Sequence, residues 1–152
     1  MVKINHDPKL FEEENIIKRI SKEIKSDRII NALLLAHGFI EAYLLEILLY
    51  SGQINIKTLN KKVIENIERI SFNNLLHINL VIDNISFELY QKIINFNKKR
   101  NEIVHEMISI DINDQKIKKK IEKQVKNAID ICNHLSTIYK NKIEERTKMF
   151  EK

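Results

Sequence analysis

The segment Arg100-Asn101-Glu102-Ile103-Val104-His105 combines a permanent cation with a titratable imidazole. An imidazole moves protons near neutral pH, and a guanidinium holds a phosphate and neutralises charge developing on it. Together they supply what cleavage of RNA without a metal requires, namely general acid–base catalysis and electrostatic stabilisation of the transition state. On a helix, Arg100 and His105 stand roughly 140° apart around the axis, whereas Asn101 and His105, four residues apart, share a row. Asn101 is then placed to orient the imidazole, with Arg100 to one side reaching a phosphate in a groove. Two such helices meeting across a two-fold axis would gather both Arg and both His around one cleft.

Helices are the elements the rest of the chain offers to hold this segment. With two Gly, one Pro and no Trp in 152 residues, the turn signals of a β-sandwich or a βαβ series are missing. A first helix is expected from Pro8 or Lys9 to Lys25, with Leu10, Ile17, Ile20 and Ile24 as its apolar stripe. Ser26-Asp27 offers N-cap chemistry for a second, from Arg28 to Tyr50, whose apolar residues surround most of its circumference as in a central, buried helix. Ser51-Gly52 ends it.

A weaker amphipathic pattern runs from Ile56 to Ile70 through Leu59, Val63, Ile64 and Ile67. Ser71 caps a short stretch through Leu75, Leu76, Leu80 and Val81. From Ser86, the residues Phe87, Tyr90, Ile94, Ile103, Val104 and Met107 predict a helix that carries Arg100–His105 near its C-terminal end. Asp114 caps a long last helix with the stripe Ile117, Ile121, Val125, Ala128, Cys132, Leu135, Tyr139 and Ile143. The expectation is an all-α, up-and-down bundle of about five helices, forming one domain over residues 1–152.

Twenty-six Lys and Arg against 21 Asp and Glu leave a formal charge of +5. That permits contact with nucleic acid without establishing it; an AT-rich genome would enrich Lys, Asn and Ile equally. The single Cys132 excludes an intramolecular disulfide and a Cys-rich zinc cluster, and points to a reducing cytoplasm. Met1 to Glu13 holds no apolar stretch of signal-peptide length. Ile29 to Tyr50 is long enough to raise the question of a membrane span, but Asn31, His37, Glu41 and Glu46 would be costly in lipid, so no membrane partner is expected.

An unpaired carboxylate within that apolar segment would be expensive. Glu41 or Glu46, with Glu41 favoured, is therefore expected either to meet a cation such as Arg100 or to lie open at a groove. His37, beside Gly38, reads as a mark of close helix packing. His6, His77 and His134 lack metal-site spacing, and no glycine-rich phosphate loop or G-x-S-x-G elbow occurs, so no metal or cofactor is expected. Lys116, Lys118, Lys119, Lys120, Lys123 and Lys126 form a solvated face of the last helix, with RNA contact as its other reading.

Arg100, Asn101 and His105, preceded by Phe96-Asn97-Lys98-Lys99 and by a central helix Leu33–Leu49 containing Glu41, resemble the HEPN superfamily. Its signature is Arg, then usually a polar residue, and His after four to six intervening positions. The resemblance implies a bundle that dimerises with its motifs at or near the interface and, in many members, a metal-independent endoribonuclease of toxin–antitoxin or other defence systems. It implies His105 as general base or acid, Arg100 stabilising the phosphorane-like transition state, and Asn101 positioning His105 or the phosphate. Lys98 and Lys99 would contact RNA and Glu41 would support Arg100. Some members are silenced by a partner nucleotidyltransferase acting on a Tyr two residues after the His; Met107 stands there in this chain, which argues against that mode of silencing and leaves open a nucleotidyltransferase antitoxin acting otherwise. A non-catalytic helical module binding RNA, nucleotide or a protein partner is the alternative.

Overall fold

A computed structural model describes residues 13–51, 61–107 and 114–150. Six helices occupy them: α1 (Glu13–Lys25), α2 (Ile29–Tyr50), α3 (Lys61–Glu68), α4 (Phe72–Val81), α5 (Phe87–Glu106) and α6 (Gln115–Phe150). About five were expected; the Ser71 cap that the sequence offers does separate α3 from α4. There the Ser71 hydroxyl accepts from the Asn74 amide at 3.4 Å, satisfying a donor that the first turn leaves free. Ser86 caps α5 in the same way through Leu89 N, and Asp114 accepts from Lys116 N ahead of α6.

Ser26-Asp27 acts differently from the N-cap its composition suggests. Asp27 takes φ 56°, Asp27 N donates to Ile24 O and Arg28 N to Glu23 O. This is a Schellman closure of α1, and α2 begins without a side-chain cap. Asp83 repeats it after α4 at φ 57°, with Asp83 N on Leu80 O and Asn84 N on Asn79 O. Asp tolerates this left-handed backbone better than most residues that carry a Cβ.

α2 is the hub, packed by α1, α4 and α6. It is long and apolar enough to cross a membrane by length and composition, and two-thirds of its most apolar window, 67%, is buried inside the bundle. Ile40, Leu44, Ile47, Leu76, Ile93, Ile121 and Leu135 are among its fully enclosed core, each worth about 1.5–3 kcal/mol on burial. The α6 stripe from Ile117 to Tyr139 is buried as its spacing predicts. On α1 the buried positions are Ile16 and Ile20, while Ile24 is exposed and Ile17 only half-buried. Pro8, Leu10, Gly52 and Leu59 lie outside the described residues, and the side chains of Val63 and Ile64 do too.

Contacts along the helices give their directions. His37 meets Phe72 and Leu44 O accepts from Asn79, so α4 runs parallel to α2. Lys118 pairs with Asp27 and Arg146 donates to Leu49 O, so α6 does as well. α5 runs against α4, with Asn73 beside Asn97 and His77 beside Tyr90. This alternation lays the last turns of α5 across the first half of α2. Buried Asn79 locks the arrangement, donating to Leu44 O and Leu75 O, both at 2.9 Å, and accepting from Asn84.

Candidate functional site

Residues 94, 97, 98, 101, 102, 105 and 106 recur at helical spacing on one face of α5, and with Asn73 and His77 of α4 they line a groove of about 660 Å³. His105 and Asn101 are both exposed in it, on one row as the spacing requires. Neither side chain takes a hydrogen-bond partner among the described residues, so Asn101 does not hold the His105 ring in this chain alone. Lys98 lines the groove as well. Lys99 does not; it faces α6 and pairs with Glu102 at 2.8 Å. Lys99 holds the Glu102 carboxyl below its ordinary range, first through the hydrogen bond. Glu106 is met by Lys120 of α6 at 3.1 Å, so each carboxylate bordering the groove has a lysine beside it.

Arg100 turns the other way. Its Nη2 donates to His37 Nε2 at 2.7 Å and to Asn97 Oδ1 at 3.2 Å, and it is not among the residues lining the groove. Burial lowers the proton affinity of the guanidinium, and the charge of Glu41 works against that shift. Glu41, half-buried on α2, is thus the carboxylate that Arg100 senses. Arg100 Nε is buried without a hydrogen-bond partner among the described residues.

His37 is the residue whose role the sequence conceals. Its ring stacks on Phe72 at 4.6 Å between centroids and lies 6.4 Å from Phe96. Burial foremost, then the Arg100 charge, push its imidazole down to about 4, against a hydrogen bond with Asn97 that raises it. The ring is therefore neutral at pH 7 and accepts from Arg100. Close helix packing does not explain its neighbour: a Cβ on Gly38 would meet nothing within 4 Å.

A hydrogen-bonded chain joins this cluster to the groove. Arg100 donates to Asn97, and Asn97 Nδ2 donates to Asn73 Oδ1 at 3.4 Å. His77 Nδ1 bonds the Asn73 carbonyl, and Tyr90 Oη meets His77 Nε2 at 3.0 Å. Since a carbonyl only accepts, Nδ1 of His77 carries the proton and Nε2 receives the Tyr90 hydroxyl. Asn73, His77 and Tyr90 have no motif to announce them; only the antiparallel pairing of α4 and α5 assembles them.

Among the described residues no group of three His, Cys, Asp or Glu side chains is placed to hold a metal ion. Buried Cys132 has its thiol pushed up to about 12 by desolvation, which leaves it a packing residue. No protein-family model matches the sequence, and no curated protein or solved structure is significantly similar to it.

Proposed function

We propose that the chain is a metal-independent endoribonuclease acting in the cytoplasm as the toxin of a toxin–antitoxin or defence system. The observation that carries this reading is the open groove in which His105, Asn101 and Lys98 stand together on α5, with Arg100 one residue before Asn101 on the same helix. In the reaction, the ribose 2′-hydroxyl attacks the adjacent phosphorus and gives its proton to a base. The 5′-oxygen leaves with a proton from an acid, and a cyclic phosphate remains. His105 serves as base or acid, and Arg100 neutralises the phosphorane-like charge.

Within one chain Arg100 lies beside the groove and His105 inside it. A HEPN-like homodimer, with two α5 helices meeting across a two-fold axis, would bring an Arg100 of one copy toward the His105 of the other. Glu41 and His37 hold Arg100 ready, and Lys98, which lines the groove, is the lysine that meets the RNA backbone, since Lys99 faces α6 and is paired with Glu102. A nucleotidyltransferase antitoxin is a fitting partner for such a toxin.

The decisive experiment incubates the purified protein with RNA in EDTA beside His105→Ala. Cyclic-phosphate ends that appear only with the parent protein support the reading; equal cleavage by both proteins rejects it. A second reading, a non-catalytic module binding RNA, nucleotide or a protein partner, is favoured by one observation: Arg100 is already engaged by His37 and Asn97. On that reading His105→Ala and Arg100→Ala change partner binding or stability, and no cleavage is seen.

A further inference from the structure

Phe87 opens α5 with 64% of its surface exposed, although its place in the apolar pattern predicts a core residue. One face of the ring lies on Tyr90, the centroids 6.0 Å apart and the planes 21° from parallel. Tyr90 is itself buried, packs edge-on to His77 at 5.6 Å and donates its hydroxyl to that ring. His77 in turn lines the groove that holds His105. Phe87 is thus the exposed outer ring of an aromatic stack that reaches the groove through His77, about two turns of α5 before Ile94, the first α5 residue to line it.

We infer that this stack is a nucleobase subsite for single-stranded RNA whose backbone follows the groove toward His105. The inference rests on the ribonuclease reading. Stacking suits every base because each has a π-face, so aromatic platforms hold single strands without sequence readout; Lys98 is the groove's lining cation, and its two carboxylates, Glu102 and Glu106, are each met by a lysine. Tyr90 and Phe87 lie fifteen and eighteen residues before His105, or about 22–27 Å of helix, a span that takes several nucleotides of extended strand. Lys98 stands between the two ends of the groove, where it meets the backbone. Tyr90 and His77 are held by hydrogen bonds, so the platform is formed before RNA arrives and loses little freedom on binding. A protein ligand would use the same apolar surface without requiring continuity with the groove, and the test separates the two.

The chain has no Trp, so Phe87→Trp introduces a sole indole at the stack. Made in the His105→Ala background, it is titrated with oligoadenylate and, separately, with the matching abasic ribose-phosphate oligomer. The expected result is fluorescence quenching by oligoadenylate and little by the abasic chain, together with about tenfold weaker oligoadenylate binding by Phe87→Ala. Unchanged binding by Phe87→Ala, or equal quenching by both oligomers, overturns the subsite. If in either case the parent still cleaves RNA through His105, the ribonuclease reading stands without it. If the parent neither binds nor cleaves RNA, both fall. A Phe87→Ala protein that binds RNA normally but changes its oligomeric state assigns the patch to a protein contact and overturns the inference. Circular dichroism confirms that the substituted proteins are folded.

Discussion

Arg100 donates from Nη2 to Nε2 of His37 at 2.7 Å, so the cation of the motif is anchored by a neutral imidazole of α2. A neutral acceptor orients a guanidinium without consuming its charge, which remains free to act on a phosphate. The half-buried Glu41 supplies a balancing field from the same helix.

That anchor makes stability depend on pH. His37 titrates at about 4 when folded and at its ordinary 6.5 when unfolded, so between these values the unfolded chain binds more protons. Stability therefore rises with pH across the window and is lost progressively as pH falls from 6.5 toward 4. His37→Gln, whose amide oxygen can still accept from Arg100, should flatten this slope. Urea denaturation at a series of pH values checks it, and an unchanged slope counts against the neutral imidazole.

His105 is exposed and has no side-chain hydrogen-bond partner among the described residues, so His105→Ala should leave the melting temperature where it was. Loss of a general acid or base should nonetheless slow cleavage about a hundred- to ten-thousandfold. Thermal melts beside an RNA cleavage assay separate the two effects. A variant that melts early would assign His105 a structural part instead.

Asn79 is fully buried, and its side chain makes hydrogen bonds to Leu44 O, Leu75 O and Asn84. Asn79→Ala strands these groups away from water and should cost about 1–3 kcal/mol, measured by chemical denaturation. Because α4 carries Asn73 and His77, the substitution should also loosen the groove, seen as weaker RNA binding. A neutral effect would mean that α4 is held by apolar contacts alone.

Asp83 closes α4 at φ 57°. Asp83→Ala should destabilise by about 1 kcal/mol, since a Cβ without a local hydrogen-bonding group disfavours that backbone. Asp83→Gly should match or exceed the parent. Equal stabilities for Ala and Gly would argue that the turn relaxes on substitution.

Cys132 should resist thiol reagents in the folded protein and react only on unfolding, because the thiolate that such reagents need is suppressed by burial. Labelling with and without denaturant gives the answer directly; rapid labelling of the native protein would show that α6 opens.

The sequence by itself determined the all-helical class, the cap residues Ser71 and Asp114, the start of α5 at Ser86, and the buried stripe of α6. Each of these follows from local hydrogen bonding or from a 3.6-residue period carried within one segment. It also placed Asn101 and His105 on one row, because four residues of helix do so whatever surrounds them. Phe87 and Ile24 read as core by the same period and are exposed, since period tells which residues share a face and not whether another helix covers it. The Arg100–His37 bond spans sixty-three positions, and the Asn73–Asn97 and His77–Tyr90 pairs depend on how α4 and α5 cross. Only tertiary packing decided these, because the side chains that build the groove belong to helices whose separate sequences carry no record of which neighbour they will meet.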